Sequence, residues 1–278
     1  MTDQLSRSGK LYVVGTPIGN LDDLSPRARD VLAKADVIAA EDTRHTRVLL
    51  SRIGVESRLI AYHEHNEAER VAEFLARLGE GVSIALVSDA GTPLISDPGW
   101  RLVSAAQAQG ITVVPVPGAC AAVAALSAAG LPTDHFVFEG FLPRRASARA
   151  ERLSRLRDEH RTLIFYEAVH RVAATLAAMS EAFGAERRAA VARELTKIHE
   201  QIATGSLAEL TARLGGDIPL LGEFVIVVAG AAAAAPDETA ARRVYALLVQ
   251  ELDPAAALRL TSAITGVARN DLYRLVRT

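Results

Sequence analysis

LYVVGTPIGN (residues 11–20) and IALVSDAGTPLISDPG (residues 84–99) are each a short apolar run that leads into a turn rich in glycine and proline. Such a run and turn are typical of a strand of an open α/β sheet, which binds its ligands at the carboxyl ends of its strands. Glycine lets the backbone approach a ligand closely, and proline stiffens the turn. The two segments therefore predict a doubly wound sheet with a ligand site at its strand ends.

Strand and helix patterns alternate through the first half of the chain, which predicts a parallel sheet covered on both faces. Ser25-Pro26 has the form of a helix start, and Gly54 stands where a helix C-cap is expected. The predicted strands are 11–14, 37–40, 58–61, 83–87 and 112–116, and the predicted helices are 26–35, 43–53, 66–78 and 99–109.

The second half predicts a further α/β domain with a mixed sheet, a linker over 229–235, and a purely helical C-terminal tail. The fold class is therefore α/β, with domains at 10–117 and 118–232 and a small helical appendage at 237–278. The tail either packs as a dimer-stabilising element or forms a helix-turn-helix around Gly266. The predicted strands are 137–140, 162–166, 189–193, 200–205 and 224–229, and the predicted helices are 119–129, 147–157, 170–183, 206–214, 238–251, 254–265 and 271–276.

Composition excludes several classes of protein. Half of the 278 residues are hydrophobic, yet there is no apolar run of 18 or more residues, so a membrane span is not expected. The first ten residues are polar and lack the apolar core of a signal peptide, so we expect a cytoplasmic protein. Cys120 is the single cysteine, and the clustered histidines are solvated loop residues in our interpretation, so no metal site is predicted.

Nucleotide-binding fingerprints are also absent from the sequence. There is no Gly-x-x-x-x-Gly-Lys-Ser/Thr pattern, and no Gly-x-Gly-x-x-Gly follows the first strand. Both patterns cradle phosphates with backbone amides at a helix start, so their absence argues against ATP, GTP and NAD as ligands. The residues alone say only that some ligand approaches the backbone of the turns.

Basic residues are concentrated in one segment, although the net charge of the chain is −2. Any RNA contact must therefore use a local patch of positive charge. The segment either contacts phosphates or is an exposed helix face in an arginine-rich sequence. Its seven arginines are 144, 145, 149, 152, 155, 157 and 161, against three acids at 151, 158 and 159.

The segment AEDTRHT (40–46) follows the second predicted strand directly, at the ligand-binding edge of the sheet. Glu41, Asp42, Arg44 and His45 are four ionisable groups within five positions. One of these residues or Thr43 can cap the next helix, but capping does not explain why all four lie together. The carboxylates or His45 could accept a proton, and Arg44 could hold a phosphate.

Seven motifs in order carry a family resemblance. They are TPIGNLDDLSPRA (16–28), AEDTRHT (40–46), LVSDAGTPLISDPG (86–99), VPGACAAVAALSAAGLP (116–132), EGFLPR (139–144), TLIFYEAVHR (162–171) and ARELTKIHE (192–200). From about residue 10 to 230 the chain resembles the bacterial 16S rRNA (cytidine-2′-O)-methyltransferases, a family of the tetrapyrrole methylase superfamily.

The resemblance implies a cofactor, S-adenosylmethionine, held between the two domains. Apart from the resemblance, Glu194 and Lys197 form a second ionisable cluster, so Lys197 joins the catalytic candidates. The RNA-binding candidates are Arg144, Arg145 and Arg149 of the basic segment, and Arg171. The second turn can be aligned with the superfamily pattern in more than one register. Asp89 and Asp97 are therefore alternatives for the cofactor-binding aspartate of this turn. The implied cofactor residues are Pro17, Ser88, Asp89, Ala90, Gly91, Ile95, Ser96, Cys120, Ala121, Tyr166, Glu167, Leu195 and Thr196.

The implied reaction is methyl transfer to the ribose 2′-hydroxyl of a cytidine in the decoding region of 16S rRNA. The implied substrate is an assembled small ribosomal subunit, and the superfamily implies a homodimer. Two other readings stay open at this stage. One is a small-molecule methylase of the same fold, and the other is a non-catalytic RNA-binding factor with a degenerate cofactor pocket.

Overall fold

The computed structural model describes residues 9–232 and 237–276. It divides into two compact units, one ending at Ala231 and one beginning at Ala232. The first unit contains two five-stranded sheets, and the second contains helices only. Residues 1–8 of the polar N-terminus and residues 233–235 of the predicted linker lie outside the described residues.

The first sheet is entirely parallel, as the alternating pattern predicts, with the order β3-β2-β4-β1-β5. Because β1 lies between β4 and β5, the turns that follow β1 and β4 emerge side by side. Apolar residues on both faces of this sheet pack against the covering helices. The strands are β1 Lys10–Val14, β2 Val37–Ala40, β3 Leu59–Ala61, β4 Ile84–Val87 and β5 Thr112–Val116, and the helices are α1 Pro26–Lys34, α2 Thr43–Ile53, α3 Glu67–Gly79 and α4 Trp100–Ala108.

The helix ends of this half have the predicted chemistry. The Ser25 side chain accepts the Ala28 N–H, and Pro26 occupies the first position of α1. Asp42 caps α2, which ends at Gly54 in the left-handed conformation. The local signals therefore fix where α1 begins and where α2 begins and ends.

The second sheet is mixed, as predicted, with the order β6-β7-β10-β8-β9. Only β6 and β7 run parallel, and the other neighbours are antiparallel. The β6–β7 register shifts between Phe138 and Gly140, which is a β-bulge. The strands are β6 Phe136–Phe141, β7 Thr162–Ala168, β8 Arg188–Arg193, β9 Gln201–Ser206 and β10 Glu223–Val228, and the helices are α5 Ala121–Ala128, α6 Ala146–Arg155, α7 Val172–Phe183 and α8 Leu207–Arg213.

The second unit consists of α9 Glu238–Leu248, α10 Pro254–Thr265 and α11 Arg269–Val276. Its small core is formed by Ala241, Val267 and Leu272. The helical appendage predicted from the sequence is therefore present. Within residues 9–232 and 237–276, every helix is too short or too polar to cross a membrane.

Candidate active site

A cleft of about 380 Å³ lies where the ends of β2 and β4 face β7 and β10. This volume is within the range of small-molecule sites. Both sheets contribute to it, so the cleft joins the two halves of the first unit. It is lined by Ile18, Glu41, Asp89, Ala90, Gly91, Thr92, Ile95, Ser96, Asp97, Cys120, Ala121, Phe141, Tyr166, Glu167, Ala168, Glu223, Phe224 and Val225.

Backbone contacts hold the two diagnostic turns together. Thr16 and Gly91 form an isolated antiparallel bridge, with the Thr16 N–H donating to the Gly91 carbonyl at 2.8 Å and the reverse bond at 3.2 Å. A Cβ on Gly15 would lie 2.7 Å from the Cα of Gly118, so the turn after β1 also packs against the turn after β5. These glycines are required by the close approach of two backbones.

The segment from Ser88 to Gly99 follows β4 and carries unusual backbone geometry. We call it the cofactor loop, after the cofactor residues that the family resemblance implies there. Leu94 and Ser96 have φ values of 74° and 68°, which are left-handed conformations of residues other than glycine. Such conformations cost about 1–3 kcal/mol each and persist only where the surroundings impose them. A Cβ on Gly140 of the second sheet would lie 2.9 Å from Ser96 Oγ, so the loop packs closely against β6.

Three carboxylates line the acidic side of the cleft: Glu41, Asp89 and Asp97. Burial, with the nearby charge of Asp89, raises the pKa of Glu41. Burial also raises the pKa of Asp97 to about 6, and the charges of Glu41 and Asp89 add to the effect. The mutual repulsion of the three groups makes the cleft a favourable environment for a cation.

Asp42, Arg44 and His45 lie outside the cleft lining. The Arg44 guanidinium bonds to both Asp42 carboxylate oxygens, with distances down to 2.6 Å, and this bonding lowers the pKa of Asp42. The Arg44 side chain is 86% exposed. His45 Nδ1 lies 3.4 Å from Asp89 Oδ2. Asp42 is thus a helix cap and an arginine partner, while Glu41 faces the cleft.

Lys197 lies on the loop that follows β8 and is outside the cleft lining, next to the lining residue Glu223. Its Nζ bonds to Glu194 Oε1 at 2.8 Å and to Glu223 Oε2 at 2.9 Å. Burial opposes the charge of Lys197, but the two carboxylates raise its pKa. The Asn20 N–H donates to Thr196 Oγ1 at 3.1 Å, which links this loop to the turn after β1.

The apolar side of the cleft is aromatic. The Tyr166 ring lies edge-on to Phe138 and Phe141, with centroid distances of 5.0 and 5.7 Å. The Tyr166 hydroxyl accepts the Ala122 N–H at 3.1 Å, and burial raises the pKa of this tyrosine. Glu167 is buried, and its carboxylate is satisfied internally, with Thr175 Oγ1 donating at 2.6 Å.

The predicted RNA-binding arginines fall into two groups. Arg144 and Arg145 are exposed in the segment that follows β6, and Arg149 is partly exposed on α6. Arg171 is only 14% exposed, and it donates to the carbonyls of Leu142 and Pro143 at 2.7 and 3.2 Å. The structure therefore gives Arg171 an internal role, fixing the chain just before the exposed arginines.

The predicted cofactor residues lie largely in the cleft. Those in its lining are Asp89, Ala90, Gly91, Ile95, Ser96, Cys120, Ala121, Tyr166 and Glu167, whereas Pro17, Ser88, Leu195 and Thr196 are outside it. Sequence reasoning did not single out Phe141, Glu223, Phe224 or Val225. Phe141 could have been identified from the sequence, because it stands in the motif EGFLPR. The β10 residues could not, because they carry only an ordinary strand pattern. In the part of the chain that the structure describes, no group of three or more His, Cys, Asp or Glu residues could hold a metal ion.

Comparisons with known proteins agree with this architecture. The tetrapyrrole (corrin/porphyrin) methylase family matches residues 10–211. Two relatives named ribosomal RNA small subunit methyltransferase I are each 54% identical over 271 residues. The one from Xylella fastidiosa (strain Temecula1) covers 97% of this chain and 99% of its own. The one from Pseudomonas aeruginosa covers 96% of each.

Solved structures of methyltransferases have the same fold. Uroporphyrin-III C-methyltransferase from Thermus thermophilus is 25% identical, with a TM-score of 0.57 over 80% of this chain and 94% of its own. Another structure of an enzyme of that name from the same organism, in complex with S-adenosyl homocysteine, has a TM-score of 0.53 at 17% identity, over 80% and 97%. S-adenosylmethionine is the methyl donor of this family. The chain belongs to the ribosomal RNA small subunit methyltransferase I family of the tetrapyrrole methylases.

Proposed function

We propose that this protein transfers the methyl group of S-adenosylmethionine to the ribose 2′-oxygen of a cytidine in the decoding region of 16S rRNA. The observation that carries the proposal is a single cleft with carboxylates on one side and the exposed ring of Phe141 on the other. The exposed Arg144 and Arg145 follow Phe141 closely in the chain. The names of the relatives support rRNA as the substrate.

The charged and apolar side chains that line the cleft suit S-adenosylmethionine. When bound, this cofactor supplies an electrophilic methyl group on a positively charged sulfur. Asp89 and Asp97 on the cofactor loop would offset its positive charge, and Cys120, Ala121 and Tyr166 form an apolar surface for its adenosine part. At Gly91 a Cβ would lie 3.2 Å from the Ile18 side chain, so glycine keeps the floor of the cleft open.

Glu41 is the group in this chain best suited to accept the proton of the 2′-hydroxyl. It follows β2 directly, lines the cleft, and its raised pKa makes it a stronger base than an ordinary glutamate. Asp42 is a poor candidate, because its lowered pKa and its bonds to Arg44 leave the carboxylate satisfied. The remaining contribution is alignment of the ribose oxygen, which is worth up to about 7–11 kcal/mol in well-oriented reactions.

Arg144, Arg145 and Arg149 would bind phosphates of the RNA backbone beside the cleft. Other arginines of this segment are already paired, since Arg152 bonds to Glu139 and Arg155 to Glu151. A patch this small on a chain of net charge −2 gives weak affinity for free RNA. We therefore propose the assembled small subunit as the substrate. The homodimer implied by the resemblance stays a prediction, which light scattering would test.

The decisive experiment uses labelled S-adenosylmethionine and small subunits purified from cells that lack this gene. Nuclease digestion and mass spectrometry would locate the methyl group, and we expect a 2′-O-methylated cytidine. Donor binding without transfer would favour a small-molecule acceptor. The absence of donor binding would favour a non-catalytic RNA-binding factor.

A further inference from the structure

The β-bulge in β6 changes the direction of one side chain at the edge of the cleft. In the β6–β7 register, Phe138 pairs with Ile164 and Phe141 pairs with Tyr166. Residues 164–166 of β7, three in all, are therefore matched by the four residues 138–141 of β6, and the side chains of Phe138 and Phe141 come to lie on the same face of the sheet. In a regular strand, Phe141 would instead pair with Glu167 and point to the opposite face.

The local sequence makes this bulge possible. Gly140 has a φ of 63°, which a residue with a side chain adopts only at a cost. A Cβ there would also lie 2.9 Å from Ser96 Oγ on the cofactor loop. The extra residue, Glu139, is anchored by a two-pronged bond from Arg152, with distances of 2.7 and 2.9 Å. The position of Phe141 is therefore fixed by two contacts of the residues before it, that of Gly140 with the cofactor loop and that of Glu139 with Arg152.

Phe141 itself is incompletely covered. It lines the cleft, yet it is 55% exposed, and its contact with Tyr166 occupies only part of the ring. The deep part of the cleft is closed instead by buried residues of β7 and β10, among them Glu167 and Phe224. An apolar ring held half in solvent at a cleft mouth is a surface for a planar group that arrives from outside.

We propose that Phe141 is the platform on which the base of the target nucleotide stacks when its ribose enters the cleft. This inference rests on the proposed function. Proteins that recognise unpaired RNA bind bases splayed out of the stack, and aromatic side chains replace the lost stacking. Arg144 and Arg145 lie three and four residues after Phe141, so the phosphates on either side of the target meet positive charge as the base meets the ring.

The test compares Phe141→Ala, Phe141→Leu and Phe141→Tyr with the wild-type protein, using small subunits from cells that lack the gene. Phe136→Ala is the matched control, because Phe136 is on the same strand and 43% exposed but outside the cleft lining. We expect kcat/KM for the subunit to fall about 5- to 150-fold in the Ala variant, the range that the loss of one base–aromatic stack produces. The kcat/KM of Phe141→Leu should fall as well, whereas Phe141→Tyr should keep most of the wild-type value. The kcat/KM of Phe136→Ala should equal that of wild type.

The affinity for S-adenosylmethionine, measured by calorimetry on the same proteins, separates the alternatives. Unchanged donor affinity with reduced kcat/KM for the subunit supports the platform. Wild-type activity in Phe141→Ala would overturn the inference and leave the proposed function intact. Weakened donor binding would assign Phe141 to the donor site and also overturn the inference. Failure of the wild-type protein to methylate the subunit would refute the proposed function itself.

Discussion

Replacing Asp97 by asparagine should make the protein more stable and weaken its binding of the methyl donor. Asp97 has a folded pKa of about 6 against an ordinary value of 3.8, mainly because of burial and then because of Glu41 and Asp89. Since the folded state binds this proton more tightly than the unfolded state, ionisation of Asp97 destabilises the fold. The destabilisation is absent below pH 3.8, develops as the pH rises from 3.8 to 6, and is complete above 6.

The size of the effect follows from the gap between the two pKa values. At 1.36 kcal/mol per pH unit, that gap sets an upper limit of about 3 kcal/mol above pH 6. Asp97 is only half-buried, and solvent screening reduces the value. We therefore expect Asp97→Asn to gain about 1 kcal/mol in free energy of unfolding at pH 8, and little at pH 4.

Urea denaturation followed by circular dichroism at pH 4, 5, 6 and 8 measures this difference directly. Asp30→Asn is a suitable control, because Asp30 is exposed on α1 and 3.9 Å from Lys34. Donor affinity, titrated over the same pH range, should fall below pH 6 in the wild-type protein, since only ionised Asp97 attracts a cation. An Asp97→Asn protein no more stable than wild type at pH 8, or one whose donor affinity keeps the wild-type pH profile, would refute this reasoning.

Three further substitutions test the site. Glu41→Gln should lower the rate of methyl transfer by about 10²–10⁴-fold with donor affinity retained, which single-turnover assays would detect; a rate near wild type would exclude Glu41 as the base. Asp42→Ala should cost about 0.5–2 kcal/mol of stability in urea denaturation, because α2 loses its cap, whereas Asp42→Asn should keep both stability and activity. Gly19→Ala should reduce activity, because the new Cβ would lie 2.5 Å from Lys197 Cγ, while Gly79→Ala, which meets nothing within 4 Å, should not.

The sequence predicted the first sheet well because its signals are local. Short apolar runs mark β1 and β4, Ser25-Pro26 marks the start of α1, and Gly54 marks the end of α2. Each signal acts within a few residues of the element that it defines. The parallel direction of the strands followed from the alternation of strands and helices, whereas the order of the strands was not predicted and comes only from the structure.

The details that shape the site could not be predicted in the same way. Leu94, Ser96 and Thr196 adopt left-handed backbone, but their side chains give no signal of it, because contacts from elsewhere in the fold impose that geometry. The same limit applies to Arg171, whose charge suggested RNA. Its guanidinium donates to the carbonyls of Leu142 and Pro143, which only the packed structure brings within reach, and it also lies 3.3 Å from Glu167 Oε1.

The two sheets meet at the cleft through backbone and short side chains, and this explains where the glycines of the motifs fall. Gly19 packs under Thr196 and Lys197 of the loop after β8, and Gly140 packs against Ser96 of the cofactor loop. Each contact joins a loop of one sheet to an element of the other, at a distance that a Cβ would not allow. Short contacts of this kind fix the separation of the sheets more rigidly than long, flexible side chains can, because they have few rotamers to sample. The width of the cleft is therefore set largely by these glycine contacts, so the other lining side chains remain free to provide charge and stacking.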